Sequence, residues 1–372
     1  MIKIAHIANP VAGVGLYVSL LARHLNNKKF KNIIIGDLNE GAIEVKDSLD
    51  ENTPLYHIKL DREIKLINDI KGLFRIIKLL KELKPDIIHC HSAKAGILGR
   101  MAGAYLKTPT LYTPHAYSYL STKSIVKKKV FKSIEKLFRF LPSKTLACST
   151  SEYNRTISDL KVNKKKVYLW NNSIEDGINL ETEKAFNHLP EKFICSIGRP
   201  SYQKHTELLV KMIIEVKKTT PNIHLVILGI GFYSPSLEKI NNLIKTNSLD
   251  KNITLIPWLN RTETMSILNK SQLYVSSSRY EGLPYSIIEA LELSKPCVVT
   301  NVDGNKDLIQ NSFNGFLVEQ EANMMAQRVT ELLENKELLE QLSMNARKSF
   351  EKNYNISKNI KSLERIYLSI LN

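Results

Sequence analysis

SSSRYEGLPYSIIEALELSKPCVVTNVDGNKDLI, residues 276–309, decides how the chain is read. It runs strand, loop, helix, strand, loop. Leu273 to Ser276 is an apolar strand end, and Ser277 to Gly282 is a polar loop with its glycine at the turn. Pro284 suits the first turn of a helix, where no amide bond is lost. Ile287, Ile288, Leu291 and Leu293 carry that helix to Lys295-Pro296, which ends it. Pro296 to Thr300 is the next buried strand. Two of its carboxylates flank the helix start: Glu281 just before the helix and Glu289 within it, beside apolar residues. A half-buried carboxylate needs hydrogen-bond donors, and the hydroxyls of a sugar or a ribose supply them. The helix start between the two offers unpaired amides and a positive dipole end, a seat for phosphate. One short unit can therefore hold a sugar, a diphosphate and a ribose. The plainer alternative is a surface helix with two solvated glutamates.

The Glu-x₇-Glu spacing inside SRYEGLPYSIIEAL, with EGLP and the following KPCVVTNVDGN, resembles the donor site of family 4 retaining glycosyltransferases. The resemblance implies an α/β chain of the GT-B fold, with two Rossmann-like, doubly wound domains facing a central cleft. It divides the chain into an acceptor-binding domain (1–175), a linker (176–190), a nucleotide-sugar-binding domain (191–354) and a final helix (355–372) that packs back on the first domain. Other motifs resemble the same family. KPDIIHCHSAKAGILGR (84–100) looks like its bacterial capsule and O-antigen branch. GRPSYQK (198–204) resembles its Gly-Arg…Lys-Gly element, with His205 where glycine is usual. Gly229-Ile-Gly231 with Leu237-Glu238 resembles its Gly-x-Gly…Leu-Glu unit. Two places depart from the pattern: Ala12-Gly13 stands where paired glycines are common, and Asn172-Ser173 stands where Asn-Gly is.

Size and charge fit this division. The 372 residues exceed one small domain, and 43% hydrophobic content suffices for two cores. The net charge of +16 predicts anionic partners: a nucleotide, a phosphate-bearing lipid, a membrane surface or a nucleic acid. Cys90, Cys148, Cys195 and Cys297 are far apart, lack zinc spacing and read as buried free thiols of a reducing compartment. MIKIAHIA (1–8) reads as a first strand rather than a secretory signal, and no run of 18 apolar residues occurs. The expected location is cytoplasmic, with any membrane contact peripheral, on the inner face of the cell membrane.

The loop NPVAGVG (9–15) follows that strand and precedes a helix from Leu16 to Leu25, an arrangement that faces phosphate in doubly wound folds but that also serves as a plain glycine turn. The resemblance places Gly13 and Gly15 against the donor diphosphate. The strand 85–91 ends in His89 and His91, which share a face; with no third ligand in the pattern, hydrogen-bonded histidines are preferred over a metal pair. His115 follows the strand Thr110 to Thr113, and the resemblance places it beside the transferred sugar. The basic stretch 121–140 interleaves Lys123, Lys127, Lys128, Lys129, Lys132, Lys136 and Arg139 with Val126, Val130, Phe131, Ile134, Leu137 and Phe138. It reads equally as a membrane-surface helix or as a core-facing helix with a solvated lysine face. Ser149 to Glu152 resembles a capping box.

Arg199 and Lys204, after a buried strand, suit a clamp on a diphosphate. Ile256 lies where the family's backbone approaches the base, and Trp258 either stacks on that base or fills the core, the core reading being preferred. The resemblance implies transfer of a hexosyl or N-acetylhexosaminyl group from a nucleoside diphosphate sugar, with UDP the expected nucleotide, to a lipid-linked saccharide. Arg199 and Lys204 would hold the diphosphate with the amides of Gly282, Leu283 and Pro284; Glu281 would orient the sugar and Glu289 the ribose. Cofactors and metal are expected to be absent, since no Asp-x-Asp pair occurs. Two rivals remain. A nucleotide-sugar 2-epimerase of similar architecture would turn over donor without acceptor. A nucleic-acid-binding protein would bind in a steeply salt-dependent way, although no nucleic-acid motif is present.

Overall fold

The alternation of apolar strands with amphipathic helices resolves into two all-parallel sheets. The computed structural model describes residues 1–38, 49, 53–60, 65–177, 180, 189–231 and 234–371. These residues divide into two compact units, Met1–Asn172 with Ile356–Asn372, and Ser173–Asn355. Most of the expected linker 176–190, namely 178–179 and 181–188, lies outside the described residues.

In the first unit the strands are β1 (Ile2–Ala8), β2 (Phe30–Gly36), β3 (Leu55–His57), β4 (Ile87–His91), β5 (Thr110–Thr113), β6 (Ser143–Ala147) and β7 (Val167–Leu169). They pair in the order β3-β2-β1-β4-β5-β6-β7. Helices α1 (Gly13–His24), α2 (Leu66–Leu83), α3 (Ala93–Leu106), α4 (Ile125–Phe138) and α5 (Thr150–Ser158) connect them. Strands β1 and β4 are buried along nearly their whole length, as central strands covered on both faces must be. Helix α3 approaches the sheet closely because it lacks side chains there. A Cβ on Gly99 would fall 2.3 Å from Cys90 Sγ. The C-terminal helix (Ile356–Leu371) belongs to this unit: Trp170 Nε1 donates to Asn359 O at 3.1 Å.

In the second unit the order is β10-β9-β8-β11-β12-β13. The strands are β8 (Ile194–Ile197), β9 (Leu225–Ile230), β10 (Ile253–Pro257), β11 (Tyr274–Ser276), β12 (Cys297–Thr300) and β13 (Gly315–Val318). The helices are α6 (Thr206–Lys217), α7 (Leu237–Thr246), α8 (Arg261–Lys270), α9 (Tyr285–Glu292), α10 (Asn305–Leu308), α11 (Ala322–Glu334) and α12 (Lys336–Asn353). The core joins Ile194, Ile213, Leu225, Ile227, Val275, Val298 and Phe316 with Met325 and Val329 of α11.

Each sheet reverses its strand order once, between β1 and β4 and between β8 and β11. In such sheets ligands bind outside the carboxyl ends of the strands at the reversal. The turns after β1 and β4, and those after β8 and β11, flank that position in their respective sheets.

Several expectations are corrected. Gly13 and Gly15 are not in a loop: α1 starts at Gly13, because Ala12 takes the turn itself at φ 51°. The Ser149 capping box is half formed. Ser149 Oγ accepts from Glu152 N at 3.1 Å, but the Glu152 carboxylate is drawn to other amides. Trp258 does not fill the core: it is 52% exposed, since it follows the last paired residue of β10. All four cysteines are buried and free. Among the described residues, no helix is long and apolar enough to cross a membrane.

Helix α4 starts at Ile125, where Ser124 Oγ accepts from Lys127 N. Its first half leaves Ile125, Val126 and Val130 exposed beside Lys127, Lys128 and Lys129. A core-facing role therefore holds only from Phe131 onward. There Glu135, 3% exposed, pairs with the equally buried Arg100 at 2.9 Å and accepts from Tyr112 Oη at 3.0 Å. Removing one member of a buried pair strands the other in a low-dielectric interior. Glu135→Ala is expected to destabilise the first unit by roughly 3–5 kcal/mol, read as a lowered midpoint in urea unfolding followed by a probe in that unit.

Candidate functional site

The carboxyl end of β8 turns through Gly198 at φ 152°. Any Cβ there would meet the Lys204 stem, with Cδ at 2.9 Å, so the glycine lets the lysine fold back over the strand end. From the next strand, β11, the loop Ser277 to Gly282 brings Glu281 to the same place. Lys204 Nζ lies 2.8 Å from Glu281 Oε1. Gln203 Nε2 donates to Oε2 at 2.8 Å, and Ser278 Oγ donates to Oε1 at 2.7 Å. The carboxylate is 8% exposed and takes three donors from two segments. The loops are bonded as well: Arg279 N donates to Gln203 O, Ser277 Oγ contacts Lys204 O and His205 O, and Glu281 N donates to Asp303 O. Gly304, at φ 83°, completes the packing, since a Cβ there would fall 2.7 Å from Glu281 Cβ.

Arg199 belongs to the same neighbourhood. The Tyr280 hydroxyl is pushed up mainly by burial, then by Glu281 and Tyr202, and Arg199 pulls it back. Gly282 and Leu283 are buried and lead to Pro284, which stands at the start of α9 with no side-chain cap. The helix start thus carries its dipole toward this corner.

Glu289 is held apart. It sits on the buried face of α9 and forms an ion pair with Arg261 at the start of α8. No described residue bonds its second oxygen, and Arg261 Nη2 is buried without a hydrogen-bond partner. Arg261 was not anticipated, because nothing in the sequence ties it to a residue 28 positions on. Ile256 lies buried on β10, and Trp258 follows it at the surface.

The sequence departures find their reasons here. His205, in the place of a usual glycine, adopts φ 48°, a left-handed backbone that glycine takes at no cost. Asn172 and Ser173 do not enter that region, so their turn does not need the missing glycine.

In the first unit the strand ends gather histidines. His6 comes from β1, His89 and His91 from β4, and His115 from the turn after β5. His6 supplies the third histidine that sequence adjacency hid, and one ring nitrogen from each of His6, His89 and His91 lies within 4.8 Å of the other two. Hydrogen bonds account for these nitrogens. His89 Nδ1 contacts Tyr367 Oη and His89 Nε2 contacts Thr113 Oγ1, each at 2.8 Å. His6 Nδ1 contacts His91 Nε2 at 3.1 Å, and His91 Nδ1 contacts His115 Nε2 at 3.2 Å. Burial depresses His6 to about 4 and His115 to about 3. It also lowers His89 and His91, so the cluster is neutral at neutral pH. Glu152, missed as a functional residue, accepts from Ala116 N at 2.8 Å and from Cys148 N at 3.0 Å, fixing the turn that carries His115.

Comparisons with known proteins give the family and the fold. A family model described as Glycosyltransferase Family 4 matches residues 11–177, and one described as Glycosyl transferases group 1 matches residues 179–349. An Escherichia coli UDP-Gal:alpha-D-GlcNAc-diphosphoundecaprenol alpha-1,3-galactosyltransferase is 30% identical over 343 residues, 87% of this chain and 86% of that protein. The capsular polysaccharide biosynthesis glycosyltransferase CapM of Staphylococcus aureus is 25% identical across 99% of this chain and 97% of its own. Among solved structures, Anabaena HepE in complex with UDP and glucose superimposes with a TM-score of 0.81 at 16% identity, covering 99% of this chain and all of that one. Sucrose-phosphate synthase from Thermosynechococcus elongatus gives 0.82 at 17% identity, covering all of this chain and 99% of that one. The two structures establish the shared fold, GT-B.

Replacing a strained residue by the one its backbone favours stabilises the native state. His205→Gly is expected to raise the stability of the second unit by about 1 kcal/mol, measured as an increased midpoint in thermal or urea unfolding.

Proposed function

The chain belongs to the family 4 glycosyltransferases, and from that membership we propose that it moves a hexosyl or N-acetylhexosaminyl group from a UDP-sugar to a lipid-linked saccharide, with retention of the anomeric configuration, during synthesis of a bacterial surface polysaccharide. The single observation that carries the proposal is the Lys204–Glu281 contact at the carboxyl ends of β8 and β11. It joins a cation suited to a diphosphate with a carboxylate suited to sugar hydroxyls at the reversal point of one sheet. The relatives support the finer terms. The E. coli protein is named for a UDP-sugar donor and a diphosphoundecaprenol acceptor, CapM for capsular polysaccharide, and the HepE structure holds UDP and glucose.

On this reading Arg199 and Lys204 take up the charge that grows on the departing diphosphate, with the amides at the start of α9. Lys204 has three donors and spends one on Glu281, leaving two for phosphate oxygens. Glu281, already bonded on both oxygens, has a remaining lone pair for a sugar hydroxyl. Glu289 offers its second oxygen to the ribose, with Arg261 holding the first. Trp258 stacks on the base beside the Ile256 backbone. Gly13 and Gly15 lie in the first turn of α1, where the helix amides and dipole favour phosphate. His115 attends the transferred sugar. The reaction breaks the bond from the anomeric carbon to the diphosphate and forms one from that carbon to the acceptor hydroxyl. The acceptor's proton passes to a donor phosphate oxygen, so no protein nucleophile and no bound cofactor enters the scheme.

The lipid-linked acceptor brings the enzyme to a membrane, and we assign that contact to α4. Its exposed Ile125, Val126 and Val130 lie among exposed lysines, a composition that binds anionic lipid surfaces. The proposed location is the cytoplasmic face of the membrane.

Three measurements test these assignments. Lys204→Met and Glu281→Gln are expected to lower kcat for transfer by roughly 10²–10³-fold, whereas Trp258→Ala raises the donor KM with little change in kcat. Wild-type turnover in both of the first two variants, or donor consumption without acceptor, sinks the reading; product analysis by NMR reports the anomer. Separately, co-sedimentation with phosphatidylglycerol vesicles should be lost in a Val126→Glu, Val130→Glu double variant, and unchanged binding would remove α4 from the membrane contact.

A further inference from the structure

Three of the clustered histidines form one hydrogen-bonded file with a defined beginning. Asn32 on β2 places Oδ1 3.0 Å from His6 Nε2. His6 Nδ1 faces His91 Nε2 at 3.1 Å, and His91 Nδ1 faces His115 Nε2 at 3.2 Å. The rings of His6 and His91 lie near-parallel at 23°, as do those of His91 and His115 at 25°. His89 stands outside the file. Its two nitrogens are taken by Thr113 and Tyr367, and its ring packs 4.1 Å from that of His91.

A neutral imidazole carries one N–H and one bare nitrogen. Burial keeps all three rings neutral, so each ring-to-ring contact needs a hydrogen on one side and a lone pair on the other. The amide oxygen of Asn32 can only accept. His6 must therefore carry its hydrogen on Nε2 and leave Nδ1 bare. His91 must then donate from Nε2, which leaves its own Nδ1 bare. His115 must donate from Nε2 in turn, and its Nδ1 is left as a lone pair. No described residue bonds that Nδ1, and His115 is half-buried at a strand end. The file does not conduct a proton from end to end, because an asparagine amide is no proton acceptor; it sets a direction.

We propose that Asn32, His6 and His91 are positioning residues that lock His115 in the tautomer whose Nδ1 accepts, so that His115 receives a hydrogen bond from a hydroxyl of the sugar substrate and does not donate to it. The backbone carrying His115 supports a fixed role. His115 and Ala116 are held at φ 52° and 75°, conformations that non-glycine residues keep only when their surroundings enforce them. Glu152 enforces this one through the Ala116 amide, and the Tyr17 ring sits edge-on to His115 at 4.7 Å. The proposal rests on the reading that places His115 at the transferred sugar. The sugar hydroxyl as its partner comes from that reading, the tautomer from the file.

The test separates the two. Long-range ¹⁵N–¹H NMR on the full chain with ¹⁵N-labelled histidine, assigned through His6→Gln, His91→Gln and His115→Gln, reads each tautomer without any turnover. At pH 7.5, His6, His91 and His115 should each be neutral and protonated on Nε2. In Asn32→Leu, His115 should lose its single tautomer. His115 protonated on Nδ1 in the intact protein, or averaging between tautomers there, overturns the proposal whatever the activity. Kinetics then test the positioning role. Asn32→Leu should lower kcat roughly 10- to 100-fold, the usual effect of removing a group that orients another, while the donor KM and the thermal shift given by UDP stay unchanged. The thermal shift shows that the variant folds. Unchanged kcat alongside a lost tautomer also overturns the proposal. If the wild-type enzyme proves unable to transfer a sugar while the tautomers are as expected, the functional reading has failed and the lock has not.

Discussion

A carboxylate cannot leave water without replacement donors, and Glu281 has left it almost entirely. Lys204 and Gln203 reach it from the turn after β8, Ser278 reaches it from the turn after β11, and the Glu281 amide is tied to Asp303 after β12. Three successive turns at the reversal of the second sheet are thereby fixed to one side chain. Gly198 and Gly304 are glycines because Lys204 and Glu281 occupy the space their side chains would need. These bonds hold the polar groups in fixed positions, the pre-organisation that the proposed binding of a nucleotide sugar would use.

The first sheet solves a related problem by strain. Ala12, Ser92, His115 and Ala116 all have positive φ, and all lie just beyond the carboxyl ends of β1, β4 and β5. Each such residue costs on the order of 1–3 kcal/mol. They persist because the neighbouring structure holds them, as Glu152 does through Ala116. Clustered strain at strand ends is the pattern of a ligand-facing edge. Ala12 and Ser92 follow the two strands where the order reverses, and His115 and Ala116 follow the neighbouring strand β5.

Much of this was legible in the sequence, and the limits have physical causes. Continuous apolar runs such as Ile87-Ile88 and Val298-Val299 gave the buried parallel strands, and the helical periods gave the elements between them. Glu281 and Glu289 could be singled out because a carboxylate amid apolar residues needs a partner. Lys204 could be named as a cation suited to phosphate, but not its pairing with Glu281, since the two lie 77 positions apart and meet only when β8 and β11 pair. His6 was hidden in the same way: it faces His91 only through the register of β1 on β4. Helix α1 began earlier than expected because Ala12 adopts a backbone usually left to glycine. Trp258 was placed in the core on its size, but it lies one residue beyond the end of β10, where its amide still bonds Ile230 O and the residue stays 52% exposed. The basic helix was undecided because its two halves differ: Glu135 anchors one, and the other exposes its valines.

The central claim is that the strand ends around Lys204 and Glu281 grip the diphosphate of a nucleotide sugar. Isothermal titration of the intact protein with UDP and with uridine tests it most directly. Charge-assisted bonds to the phosphates should make UDP bind at least about tenfold more tightly than uridine, and Lys204→Met should remove much of that difference. Equal affinities for UDP and uridine, or a difference that Lys204→Met leaves untouched, would contradict the account.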